Sequence, residues 1–400
     1  MDLTPPQSPS DAPTTIHDPA TIPLSPSAQD NIFFGPFGLR AVWSLLIYFA
    51  ILGGIIGGLY LVGHQVHQQR EHTASAAAPA SATQPGKPAS PAKPAFAQPS
   101  AHEPMPLSYL VTGELVMFAG FFFVSWLMAA IEHRKLSSFG LGGAHRLQRL
   151  LIGAFWGILA ISLLILALHT FHFLTFDTRL DHGRSILYWG LLQLFGFLLV
   201  GFTEEYSMRG YLQFTLTRGL VWIGNLLSPQ HARTIAFWIA SFLTSALFLY
   251  AHTRNAGENW LGLFQVFLAG VLFVVALWRT GSLWWGIGFH MAWDWGQSFL
   301  FGVPDSGGLE QGRLFATHAL GNPLFSGGTV GPEGSVLCIP IFLLAILVLF
   351  FTSPSLQPPL ELPGDPDFSP RLDHSPIPHL SDSDSLPAPV KPSLSAQDLA

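Results

Sequence analysis

Apolar runs of membrane-spanning length recur along this 400-residue chain and limit what it can fold into. The hydrocarbon core of a bilayer needs about 20 predominantly apolar residues per helix. Runs of that kind occupy 39–63, 107–131, 150–170, 186–202, 234–251, 260–278, 283–301 and 336–352. A weaker run at 211–227, interrupted by Arg218, either spans or lies at the interface. The expected fold class is all-α: a polytopic membrane protein with about eight transmembrane helices (seven to nine) and disordered tails. Composition agrees. Only 10% of residues are charged, against about 25% in soluble proteins, and the chain holds 12 Trp and 33 Phe. Lipid is the expected solvent, and membrane lipid an expected partner. The net charge of −6 owes much to acids in the Pro-rich tails, such as Asp365, Asp367, Asp382 and Asp384. No basic tract points to nucleic acid. Cys338 is the single cysteine, which excludes an intrachain disulfide and argues against a cysteine-based metal site; it reads as a packing residue.

The polar segments divide the chain. Residues 1–30 read as a disordered N-terminal tail and 353–400 as a disordered C-terminal tail. Residues 64–106, with "ASAAAPASATQPGKPASPAKPAFAQPS", read as a flexible Ala/Pro-rich linker. The first 38 residues lack a basic n-region, so 39–63 reads as an uncleaved transmembrane anchor. Its Gly53, Gly54, Gly57 and Gly58 form two overlapping GxxxG patterns, which could admit a close helix or simply mark a Gly-rich anchor. The remaining unit, 107–352, is the expected membrane-embedded catalytic domain. Arg134, Lys135, Arg146 and Arg149 make the loop after the second run the most basic short loop, which places it in the cytoplasm.

Acids are scarce in the apolar block. Glu114, Glu132, Asp177, Asp181, Asp305, Glu310 and Glu333 lie near run ends or in loops and read as solvated or snorkelling, Glu114 less clearly because it lies slightly inside its run. Other polar groups resist that reading. In "GFTEEYSMRG", Glu205 and Arg209 are i,i+4 and can pair on a helix, while Glu204 points about 100° away and has no local partner. In "SALFLYAHTRNAGE", His252 ends an apolar run with Phe248 one turn earlier on the same face. In "GIGFHMAWDWGQS", His290 and Asp294 share a helical face inside a run. There Asp294 could accept the His290 Nδ1–H and aim Nε2 elsewhere. The surrounding Trp284, Trp285, Trp293 and Trp295 read as packing or as an interfacial belt. Ionisable residues within a membrane are functional candidates by default. A spare carboxylate can act as general base on water, and two imidazoles can hold that water, polarise a carbonyl or bind a metal. These parts suit hydrolysis of an amide bond inside the membrane.

The motifs "EEYSMR" (Glu204, Glu205, Arg209), "FLYAH" (Phe248, His252) and "HMAWD" (His290, Asp294) resemble, in order and in placement on apolar helices, those of the CPBP family. That family includes type II CAAX prenyl proteases and bacteriocin-processing proteins. The resemblance covers roughly 135–351, and the extension "HTRNAGE" looks like a bacterial branch. It implies an intramembrane endopeptidase acting on a membrane-associated protein or peptide, in a bacterial cytoplasmic (inner) membrane. Glu204 would activate the water, Glu205 and Arg209 would support it, and His252 and His290 would position it and stabilise the oxyanion. Asp294 departs from the commoner Asn; it keeps an acceptor for His290 and loses a donor. His252, His290 and Glu204 match a catalytic zinc site in ligand type, so a divalent metal such as zinc is a candidate cofactor. Two other readings stay open: a proton-coupled transporter, and a non-catalytic immunity or scaffold member of the family. A further tension is topological. If 211–227 does not span, Glu204 and His252 fall at opposite ends of their helices.

Overall fold

The computed structural model describes residues 32–35, 38–77, 104–143, 145–255 and 257–353. The expected tails, 1–30 and all but the first residue of 353–400, lie outside these, as does 78–103 of the expected linker. The apolar runs form helices, and the fold is that of a polytopic all-α membrane protein. The long helices are α1 (Ala41–Ala77), α2 (Leu107–Ile131), α3 (Arg146–Thr170), α4 (Arg184–Glu205), α5 (Gln213–Leu227), α6 (Ala232–His252), α7 (Trp260–Thr280) and α8 (Trp284–Trp295). A single turn, α9 (Pro323–Ser326), precedes α10 (Cys338–Thr352). Among the described residues, six helices are long and apolar enough to cross a membrane. One of these, Arg184–Leu227, is 44 residues long and joins two of the runs. The run at 283–301 divides into α8 and a π-helical turn at Gly296–Leu300, and α10 has only 15 residues, roughly 22 Å of helix. A small antiparallel ladder, β1 (Leu174–Arg179) with β2 (Phe315–Ala319), ties the loop before α4 to the loop after α8.

The anchor helix runs to Ala77, 14 residues past its expected end and into the segment read as linker. It docks on the rest of the fold. Tyr48 stacks on Tyr211 with ring centroids 4.5 Å apart, and Ser44 accepts a hydrogen bond from Arg218 at 3.1 Å. Arg218 also lies 3.4 Å from Glu132, which reaches Arg134 at 3.1 Å. The charge that interrupts 211–227 is thus paired, and Glu132 is buried in this network rather than solvated. Gly53, Gly54, Gly57 and Gly58 face open space among the described residues.

Two apolar clusters form the core. One joins α3, α7, α8 and α10 through Ile161, Leu164, Leu272, Phe289 and Phe342; the other joins α1, α2 and α7 through Tyr48, Met128 and Val274. Trp285, Phe289, Trp293 and Phe342 stack in a continuous ladder. The tryptophans therefore pack, with Trp284 and Trp295 donating to the carbonyls of Leu141 and Gly190. Cys338 is fully buried, as a packing residue should be.

The topological tension is resolved by a helical hairpin. α5 continues α4 and α6 returns alongside it. Gln213 donates to the Phe237 carbonyl and the Ser241 hydroxyl, and its Oε1 accepts from Thr244. That register carries the end of α6 back to the level where α4 ends, so His252 and Glu204 line the same cavity.

Candidate active site

Glu204 and Glu205 end α4, and Arg209 sits in the π-helical turn Tyr206–Leu212 that follows. Such turns are rare and often mark functional sites. The expected pair forms: Arg209 Nη1 lies 3.1 Å from Glu205 Oε1, with both side chains buried. The guanidinium also lies over the Phe248 ring at 4.3 Å and over the Phe273 ring at 5.4 Å. Aromatic faces stabilise a desolvated cation. Gly270 leaves the room for this: a Cβ there would stand 2.9 Å from Arg209 Nη2.

His252 closes α6. Its Nδ1 is 2.8 Å from the Phe248 carbonyl oxygen. A carbonyl only accepts, so Nδ1 carries a proton, and in the neutral ring Nε2 keeps its lone pair. Phe248 thereby does three things: it stacks on Arg209, contacts the His252 ring at 4.6 Å and fixes the His252 tautomer.

His290 is oriented differently from the sequence expectation. Nδ1 faces Glu205 Oε1 at 3.3 Å, close to but outside hydrogen-bond geometry. Nε2 faces Glu204 Oε2 at 3.6 Å and Asp294 Oδ2 at 3.5 Å. Asp294 thus approaches the nitrogen that also faces Glu204, and Glu205 takes the orienting place assigned to it. The reason is that α8 packs on the end of α4, which brings both glutamates against the imidazole. Phe273 stacks on the ring at 5.0 Å and fixes its plane.

Glu204, His252, His290 and Asp294 line a cavity of about 550 Å³, while Glu205 and Arg209 are buried and do not line it. Glu204 is its most open carboxylate among the paired groups, with a third of its side chain accessible. Four acids read as solvated line the same cavity: Glu114 from α2, and Asp305, Glu310 and Glu333 from the chain between α8 and α10. That chain folds inward. Met105 pairs with Glu310 in a short bridge, and Val303 donates back to the Gln297 carbonyl. Burial, then the charges of Glu333 and Glu310, push the Asp305 carboxyl well above the usual carboxylate range. Burial raises Glu310 to about 7. Asp177 and Asp181 stay nearer solvent, Asp177 pairing with His318. Glu258, in the "HTRNAGE" stretch, accepts from the Asn259 amide beside the start of α7, where Asn259 caps Leu261 and Gly262. Asn255 lines the cavity.

Two ligand sets deserve comparison. Glu204 and His290 approach each other and His252 lines the same cavity, but this expected zinc set does not gather its donor atoms as closely as another does. Among the described residues, the group whose donor atoms all lie within 4.8 Å of one another is Asp294, Asp305 and Glu333.

The cavity thus brings together a carboxylate and two imidazoles, with a buried ion pair beside them. Residues 185–296 match the family model described as Type II CAAX prenyl endopeptidase Rce1-like. The match covers just over a quarter of the chain and holds all six candidate residues, Glu204, Glu205, Arg209, His252, His290 and Asp294. It agrees with the resemblance read from the motifs and supports a CAAX-type intramembrane protease in general, an integral membrane peptidase. No curated protein and no solved structure matches the chain.

Proposed function

We propose that this protein is an intramembrane endopeptidase in which Glu204 activates water against a peptide bond of a membrane-associated protein or peptide. The observation that carries the reading is the partly open Glu204 carboxylate, which faces the cavity 3.6 Å from His290 Nε2, with His252 on the same wall. Glu204 takes a proton from water as its oxygen attacks the scissile carbonyl carbon. The Nε2 lone pair of His252 accepts the water's other hydrogen and aims it. His290, doubly protonated between Glu205 and Glu204, keeps its Nδ1–H toward Glu205 and turns its Nε2–H from the Glu204 carboxylate to the oxyanion that develops on the carbonyl oxygen. Glu204 then gives its proton to the leaving amine as the C–N bond breaks. Arg209 holds Glu205, and Glu205 holds the His290 ring, so neither touches substrate in this scheme.

The resemblance of the "HTRNAGE" extension to a bacterial branch favours a bacterial cytoplasmic membrane and, since prenylation is mainly a eukaryotic modification, a substrate without a prenyl group. The test uses wild type and Glu204→Ala, purified in detergent and incubated with a library of membrane peptides. Mass spectrometry reads the products with and without a chelator. Cleavage by wild type alone is expected. Loss of that cleavage on chelation would show that a metal ion is needed, without saying which of the cavity's ligand sets holds it. Equal cleavage by both proteins would remove Glu204 from the reaction. Substrate flux in proteoliposomes without cleavage would point to a carrier.

A further inference from the structure

The hydrolytic scheme leaves one cluster in the cavity unused. Asp294 comes from α8, Asp305 from the loop after it and Glu333 from the turn before α10, with donor oxygens all within 4.8 Å of one another. Among the described residues no lysine or arginine pairs with any of them. The nearest imidazole nitrogen, His290 Nε2 at 3.5 Å from Asp294, already faces Glu204. Three carboxyl groups this close, and this sheltered from water, have to be neutralised by protons or by a cation.

Orphaned oxygens around the cluster favour the cation. Ser298 is 2% exposed, and its hydroxyl approaches the Asp305 carboxylate without reaching hydrogen-bond geometry to it or to another group. Glu310 is 5% exposed, lines the same cavity, and its Oε2 also lacks a partner. A buried polar atom without a partner is costly, and a cation would satisfy both. The cluster is also braced. Trp293 Nε1–H donates to Glu333 Oε1 at 2.9 Å, and the Ser306 amide donates to Oε2 at 3.3 Å. Such outer hydrogen bonds preset metal ligands. Oxygens up to 4.8 Å apart can lie on opposite sides of an ion bound at about 2.4 Å, and an all-oxygen set suits calcium, magnesium or manganese better than zinc.

We propose that Asp294, Asp305 and Glu333 form a site for one hard divalent cation, with Ser298 and Glu310 as further oxygen donors. The site is separate from the His252, His290 and Glu204 set. Its ion does not contact the attacking water; it holds Asp294 in place beside His290 and ties the loop after α8 to the segment before α10.

Terbium(III) is the probe, because the Trp293 indole lies beside Glu333 and can sensitise its emission. The full-length protein in detergent should show saturable emission on tryptophan excitation, displaced by calcium or manganese. Asp305→Asn and Glu333→Gln should each weaken binding at least about tenfold, while His252→Ala and the exposed Asp177→Asn should leave it unchanged. Calcium should raise the thermal midpoint of wild type and of His252→Ala, and not of the two cluster variants. Both cluster substitutions nearly conserve shape, and either one suffices if the other does not fold. Absence of saturable emission, or emission that persists equally in the cluster variants, would overturn the proposal and leave shared protons as the neutralising agent.

Discussion

The two sides of α8 differ in kind. Against α3 the contact is bare and dry. A Cβ on Gly153 would stand 2.0 Å from the Trp285 carbonyl oxygen, one on Gly157 2.3 Å from that of Phe289, and one on Gly288 2.0 Å from that of Leu150. Small residues let membrane helices approach this closely, and dispersion between their backbones then holds them. Against α4, α6 and α7 the same helix meets charge: Glu204, Glu205 and, through Phe248 and Phe273, Arg209. The seam has nothing to do with chemistry, yet it fixes the backbone from which His290 and Asp294 project. Precise placement of catalytic groups depends on rigid support, and here the support is glycine.

Four substitutions or titrations break or sharpen this contrast. The largest effect belongs to the charged side. Arg209→Ala leaves Glu205 buried without its partner and should cost about 3–5 kcal/mol, read as a fall in thermal midpoint. If the pair is worth little, that midpoint will barely move.

Next comes a pH effect, read in the presence of chelator so that no cation is held beside Glu310. Glu310 titrates near 7 in the folded protein against an ordinary 4.5, because of burial. Between these values the folded state holds a proton that the unfolded chain has lost, so stability falls as pH rises. The fall is on the order of 2–3 kcal/mol between those limits. Glu310→Gln should flatten this slope, and an unchanged slope would place the titration elsewhere.

On the dry side, Gly288→Ala should cost about 1–3 kcal/mol through overpacking. It should also lower proteolysis, because a displaced α8 carries His290 away from Glu204. An alanine that left both stability and cleavage intact would mean the seam is looser than described.

The smallest effect is expected from Phe248→Leu. It removes the ring beneath Arg209 at a cost of about 0.5–2 kcal/mol while keeping the carbonyl that accepts from His252 Nδ1. Cleavage should therefore fall less than in His252→Ala.

The charged side was the more legible of the two in sequence. Glu204, Glu205, Arg209, His252, His290 and Asp294 stand out because an ionisable residue inside an apolar run has no ordinary explanation. The helices were legible for the same reason, since length and hydropathy define them. What hid was whatever depends on where loops go. Asp305, Glu310 and Glu333 sit in polar chain, and sequence distance from a run gives no sign that the chain folds back into the cavity. The His290 partner was misread because i,i+4 spacing favours Asp294, whereas contact with α4 supplies Glu205 from another helix. The extension of α1 to Ala77 hid behind polar residues that helices accept as readily as linkers do. The seam glycines were visible only as glycines, as their contacts are with a helix more than a hundred residues away.

The central claim is that Glu204, rather than Glu205, activates the water. The direct measurement compares kcat and KM for one identified peptide in wild type, Glu204→Gln and Glu205→Gln, each first shown to be folded by its thermal midpoint. The account predicts a kcat loss of about 10²–10⁴-fold for Glu204→Gln with KM little changed. Glu205→Gln should show a smaller loss, accompanied by lower stability. A Glu204→Gln enzyme that keeps most of its kcat while Glu205→Gln is inactive would contradict it.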